Sequence, residues 1–256
     1  MKYVVFGYQV CKRTWKKLIF RPIHIVFSFF QPIFWLTIFG FLFERHFDFI
    51  EGDYLSYLLP GVCAMTVIQS SSQSGILFIK DIQTSFFGRY SFTPVSKTVF
   101  LFFKILADYS RIVLQIFILF GIGSLMNIKH INLDFIAIIK VLLGAFMFTF
   151  FYASISCLIA LKTKTSELLA TFVNLFNLPI IFTSTALVPN KGLPPWLSSI
   201  AQYNPLSHLS DIFRSASIDL DFHPTYAGIN SYLLLFLLMI VAFTWCSLYF
   251  RKIKYD

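Results

Sequence analysis

The sequence predicts an all-α integral membrane protein with six transmembrane helices. An amino-terminal amphipathic helix lies on the cytoplasmic interface, and an outer re-entrant helical hairpin separates the fifth and sixth spans. Two observations carry this expectation. Of 256 residues, 57% are hydrophobic and 13% charged, where a soluble chain carries about a quarter charged residues. The charges are segregated: residues 23–43, 54–79, 168–188 and 229–250 contain no Asp, Glu, Lys or Arg, and roughly 20 apolar residues suffice to cross the hydrocarbon. Lipid offers no partner to an exposed amide, so such runs are helical.

Residues 1–22 read as the interface helix. Val4, Tyr8, Cys11, Trp15 and Leu18 recur at spacings of three or four, the mark of one apolar face. Lys12, Arg13, Lys16 and Lys17 fall largely elsewhere on the wheel, which suits a helix in the headgroup region and equally a simple topology determinant. Arg21-Pro22 ends it. The first apolar run starts too late for a cleaved signal peptide. Residues 23–250 form the six-helix transmembrane domain, and 251–256 a basic tail.

In the second span, 54–79, Pro60-Gly61 implies a kink or break near the outer end. Its second half gathers Thr66, Gln69, Ser70, Ser71, Ser72, Gln73 and Ser74. Such side chains should face other helices or a water-filled path, with Gln69, Ser70 and Gln73 the candidates for that path. Small residues permitting close helix packing are the plainer reading. The inner loop 80–98 holds Phe86, Phe87, Tyr90 and Phe92, aromatics that need a protein partner or the membrane interface. The third span, 99–126, opens with Lys104, Asp108, Arg111 and Gln115, whose steps of four, three and four place them on one helical face. A single charge in lipid costs about 2.5–3.5 kcal/mol. The stripe therefore points into protein or inner water, or snorkels at the interface. The fourth span, 135–160, carries only Lys140. After the fifth span, 168–188, two short helices split by Asn204-Pro205 make the outer hairpin, with Trp196 and Tyr203 at interface depth.

Orientation follows from the basic residues. Lys2, Lys12, Arg13, Lys16, Lys17, Arg21, Lys80, Arg89, Lys97, Lys162, Lys164, Arg251, Lys252 and Lys254 fall on one side, against Arg45, Lys129, Lys191 and Arg214 on the other. Both termini are therefore expected in the cytoplasm. Glu44, Asp48, Glu51 and Asp53 make the first outer loop acidic. The net charge of +9 thus records membrane orientation, and no nucleic-acid partner is expected. Cys11, Cys63, Cys157 and Cys246 are scattered and the five histidines isolated, so no metal site is expected. G-x-x-x-x-G-K-[ST], H-E-x-x-H and G-x-S-x-G are absent, so the chain itself is not expected to be an enzyme.

Three stretches resemble the type-2 ABC exporter permeases, particularly the drug-export and nodulation-type branch. Tyr54-Leu55-Ser56-Tyr57-Leu58-Leu59-Pro60-Gly61 is similar to that family's Y-x-x-[FY]-L-x-P-G. Asp81 through Arg89 to Thr93-Pro94-Val95-Ser96, then Lys104, Ala107-Asp108, Arg111 and Gln115, resembles D-R-E-x-G-T-L-E-R-L-L-x-T-P-V-S followed by K-x-x-A-D-x-x-R-x-x-x-Q. Pro189, Leu193-Pro194, Trp196-Leu197, Asn204-Pro205-Leu206 and Arg214 resemble P-x-x-x-L-P-x-W-L … N-P-L-[ST] … R. Order and placement against the spans make the likeness specific over roughly 54–214. Ser85, Ile82-Gln83 and Gly88 depart from the pattern and leave that region less charged.

The resemblance implies an exporter subunit working as a homodimer or heterodimer with ATP-binding-cassette ATPase subunits. ATP and Mg would belong to that partner, with no cofactor on this chain. Asp81, Gln83, Phe87, Arg89, Thr93 and Pro94 would supply the ATPase-coupling surface. Pro194, Trp196, Asn204, Pro205 and Arg214 would form the outer gate. Export of polysaccharide or lipid-linked glycan is the alternative within transport, and a membrane assembly factor the alternative outside it. Abundant Phe, Ile, Lys and Asn suit an AT-rich genome, hence a bacterial plasma membrane or a plastid membrane.

Overall fold

The computed structural model describes residues 2–20, 22–43, 54–83, 96–126, 128, 131, 133–218, 225–226 and 228–253. These form α1 (Lys2–Ile19), α2 (Pro22–Phe43), α3 (Tyr54–Ser72), α4 (Ser74–Gln83), α5 (Lys97–Leu125), α6 (Phe135–Thr163), α7 (Ser166–Phe182), α8 (Pro195–Ala201), α9 (Pro205–Ser217) and α10 (Ile229–Lys252). Among the described residues, four helical segments are long and apolar enough to cross a membrane: Tyr54–Gln83, Lys97–Leu125, Phe135–Thr163 and Ile229–Lys252. Phe29–Leu42 and Ser166–Phe182 are shorter apolar stretches.

The long helices start and stop for local reasons. The Ser96 hydroxyl accepts from the Val99 amide at 3.4 Å and caps α5. The Asp134 carboxylate accepts from Ala137 N at 2.6 Å and caps α6, and α6 ends where Lys164 turns left-handed with φ 57. Such caps satisfy amides that the first turn leaves without partners.

α6 is the hub, packed against α3, α4, α5, α7, α9 and α10. Two buried clusters lie along it. One, toward α9, gathers Leu58, Leu59, Ile116, Leu119, Phe148, Leu209 and Phe213. The other, toward α1, gathers Phe78, Phe100, Ile105, Cys157, Cys246 and Phe250. At that end the Thr98 hydroxyl accepts from Arg251 Nε at 2.8 Å and lies 2.8 Å from the Ser247 hydroxyl, tying the start of α5 to the end of α10.

Three expectations are corrected. Pro60-Gly61 does not break the second span: α3 runs through it, and the break falls at Gln73, between α3 and α4. There the Ser156 hydroxyl of α6 accepts from Gly75 N at 3.2 Å and donates to the Ser72 carbonyl. A neighbouring helix thus meets amide and carbonyl groups that a continuous ladder would have paired, as hydrocarbon demands. The fifth span ends at Phe182 instead of Val188, because residues 183–189 turn inward and bury Thr185, Ala186 and Leu187. On α1, Tyr8 is exposed while Gly7 and Val10 are buried. A Cβ at Gly7 would lie 2.4 Å from the Phe103 ring, and that close approach sets which face of α1 meets α5.

Gly75 also lies close to α6: a Cβ there would fall 2.4 Å from the Ser156 carbonyl oxygen. Gly75→Val should therefore lower folded yield, at a cost of about 1–3 kcal/mol or more for overpacking. Size-exclusion profiles after detergent extraction check this. Gly121→Ala, at a position open to at least 4 Å, should keep the wild-type profile.

Candidate functional site

Polar groups that hydrocarbon would penalise are gathered at three levels inside the bundle, each joining helices distant in sequence. Nearest α1, Lys104 on α5 is 3% exposed, and its ammonium contacts both Asp108 oxygens at 3.1 Å. It also lies 3.9 Å from Asp81 on α4, whose other oxygen meets Arg13 of α1 at 3.1 Å. Four charges of alternating sign thus link α1, α4 and α5. Trp15 adds a second tie from α1, donating through Nε1 to the Ser110 hydroxyl at 3.1 Å. Cys11 sits beside this cluster, and burial first, then the Asp108 carboxylate, pushes its thiol up.

The middle level surrounds the α3–α4 break. Ser70 donates to Gln115 Oε1 at 2.7 Å, and Arg111 donates to the Ser70 carbonyl at 3.4 Å. Asn177 of α7 donates to the Ser72 hydroxyl at 3.0 Å while its own oxygen accepts from Tyr152 at 2.7 Å. The hydroxyls of Ser71, Ser74, Thr149 and Ser154 are buried with no hydrogen-bond partner among the described residues.

The third level is built on Arg214 of α9, with 0% exposure. Its guanidinium donates to Asp211 at 2.8 Å, the Ala186 carbonyl at 2.8 Å, the Tyr57 carbonyl at 3.1 Å and the Ser210 hydroxyl at 3.4 Å. It also lies 3.6 Å from the centre of the Tyr57 ring. Asp211 accepts in addition from Tyr226 N at 3.1 Å. Tyr57 and Tyr54 donate to the carbonyls of Thr185 and Leu187 at 2.7 and 2.8 Å. Gly61 makes this approach possible, since a Cβ there would stand 2.0 Å from the Ala186 oxygen and 2.8 Å from Arg214 Nη2. Asn204 caps α9 through Leu206 N at 2.9 Å and donates to the Ile180 carbonyl at 2.7 Å, fastening α7 to α9.

The structure separates the residues that the sequence grouped. Of the span-three stripe, Lys104, Asp108 and Gln115 are buried and Arg111 half-buried, so the stripe faces protein rather than snorkelling. Of the suggested path residues, Ser70 is buried against Gln115, Gln69 is half-buried and Gln73 exposed. Asp81 is buried and Gln83 exposed, donating to the Lys164 carbonyl at 3.2 Å. Phe87, Arg89, Thr93 and Pro94 lie outside the described residues. Pro194 and Trp196 are exposed, whereas Asn204 and Arg214 are buried and Pro205 is the first residue of α9. Sequence reasoning missed Asp211, Ser156 and Asn177, and did not pair Arg13 with Asp81. Asn174 and Asn177 inside an apolar span were the available signal, and Asn177 is the buried one.

Removing the Arg214 guanidinium would leave Asp211 as a buried, unbalanced charge, a change that costs about 3–5 kcal/mol. Arg214→Gln should therefore lower the thermal midpoint of the purified protein sharply. Arg214→Lys should recover little, because an ammonium cannot reproduce the planar fork.

Residues 8–218 match the ABC-2 type transporter family. The chain is 29% identical over 265 residues to the putative transport permease ycf38 of Cyanophora paradoxa, an overlap of 96% of this chain and 88% of that protein. It is 23% identical over 193 residues to the daunorubicin resistance ABC transporter permease protein DrrB1 of Streptomyces coeruleorubidus, covering 75% and 68% respectively. A further putative transport permease ycf38, from Pyropia yezoensis, is 27% identical over 192 residues, covering 73% and 65%. The chain belongs to the ABC-2 type transporter family, as a multi-pass membrane permease.

Proposed function

We propose that this chain is the transmembrane subunit of an exporter driven by ATP hydrolysis on separate ATP-binding-cassette subunits. The carrying observation is the position of Asp81. It lies near the end of α4, just before residues 84–95, which hold most of the coupling motif, and it is ion-paired to α1 and α5. Displacing residues beyond Gln83 pulls on Asp81, and through it on the helix lying against α5 and on α5 itself. Alternating access requires contacts that differ between states, and this charged junction is suited to make them.

Both termini lie on the ATP-containing side, as the basic residues around the spans favour. Six spans per subunit result when α2 and α7 cross together with the four longer helical segments. Two such subunits pair around the path, and the Arg214 level closes its far end, with α8 and α9 as the gate.

Asp81→Asn should leave membrane insertion intact and lower substrate-stimulated ATPase activity of the assembled transporter at least tenfold. Arg89→Gln tests the same surface beyond α4. Co-purification supplies the second arm: an ATP-binding-cassette subunit should be retained by the intact chain. A stable preparation that retains none would sink this reading.

A further inference from the structure

α1 presents a stripe that is exposed among the described residues. Tyr8, Lys12, Lys16 and Phe20 follow one another at four-residue steps, which stack side chains along one side of a helix. All four are exposed, Tyr8 at 66% and Phe20 at 73%. Each lysine packs over an aromatic ring: Lys12 lies 5.8 Å from the Tyr8 centroid and Lys16 5.6 Å from that of Phe20. The opposite side is committed to the protein through Val10, Trp15, Arg13 and the Phe6 ring, 6.2 Å from Phe100. No acidic residue occurs anywhere in α1, so the stripe is an undiluted positive surface bounded by aromatics.

The depth of this stripe is fixed by the chain. α1 ends at Ile19 and the apolar α2 begins at Pro22, so only two residues separate α1 from a helix that crosses the hydrocarbon in the six-span arrangement proposed above. A protein surface charged for protein docking need not lie there. One bearing aromatic rings at both ends and ammonium groups between them matches the headgroup layer, where rings take the interface and lysines meet phosphate.

We infer that the Tyr8–Lys12–Lys16–Phe20 stripe is a binding surface for anionic phospholipid headgroups. The lipid phosphates take the two ammonium groups while the rings settle among the upper acyl chains. Arg13, facing the other way, holds Asp81 at 3.1 Å. The charge of the leaflet therefore bears on the same helix that joins α4 and α5. The surface does not depend on an ATPase partner, so it can be examined on the permease alone.

The test compares phosphatidylglycerol with phosphatidylcholine binding to the full-length purified chain by native mass spectrometry. The wild type should retain phosphatidylglycerol preferentially. Lys12→Gln and Lys16→Gln should each weaken that retention roughly fivefold. The double variant should lose the preference while keeping its thermal midpoint in zwitterionic detergent. The Lys12→Arg/Lys16→Arg pair should keep the preference, and Arg251→Gln/Lys252→Gln at the other end of the chain should leave it unchanged. Equal retention by the double glutamine variant and wild type would overturn the proposal. So would a double variant that keeps its lipid and loses only a co-expressed ATP-binding-cassette subunit, since the stripe would then be a protein-docking surface.

Discussion

Arg214 has no exposed surface, and it stands among helices whose remaining side chains are largely apolar. A guanidinium cannot shed its charge by losing a proton, so every compensation must come from the surrounding protein. That requirement fixes much of the α9 end of the molecule. Gly61 has to lack a side chain, residues 183–189 have to leave the helix so that the Ala186 carbonyl faces inward, and Asp211 has to sit one turn before the arginine. The shorter α7 is a consequence of the same constraint, since the Ala186 carbonyl is met by Arg214 only once the chain has left the helix. A buried ion pair seldom stabilises a fold more than apolar packing would. Its contribution here is to specify one arrangement of α3, α9 and the turn after α7.

The same rule shapes the other levels. Hydrocarbon allows a helix to break only where neighbours meet the freed backbone groups, and Ser156 does this at Gln73 with one hydroxyl acting as both acceptor and donor. Asn177 then joins α7 to that break. The Lys104 cluster carries the pattern to the α1 end, where the members come from three different helices. α4 is thus a short, separately anchored segment, attached to α3 by a stitched break and to α1 and α5 by charge. Packing seats it as well, with Phe78 buried in the cluster toward α1.

The apolar runs were legible because the demand for roughly 20 uncharged residues leaves a one-dimensional trace. The stripe from Lys104 to Gln115 was legible for the same reason, since helical periodicity converts spacing into a shared face. What the stripe faced was not legible, because partners such as Asp81 and Ser70 are set by packing between helices. The break in the second span was misplaced because Pro60 is a strong local signal, whereas the actual break at Gln73 depends on Ser156, far away in sequence. Apolar periodicity put Tyr8 on one face of α1 with Trp15, but Trp15 bonds Ser110 of α5 and Gly7 and Val10 seat beside it. Tyr8 is left outside with the lysines. The motif around Pro60-Gly61 and the distant Arg214 were noted separately, and only the fold brings them into contact.

The central claim is that motion at the end of α4 reaches the rest of the permease through the Arg13–Asp81 pair. A double-mutant cycle measures this directly on the assembled transporter, with substrate-stimulated ATPase activity as the readout. Arg13→Gln and Asp81→Asn should each depress stimulation, and the double variant should lose little more than the more damaging single variant, since both remove one contact. Additive losses in the double variant, with each protein folded and assembled, would contradict the claim.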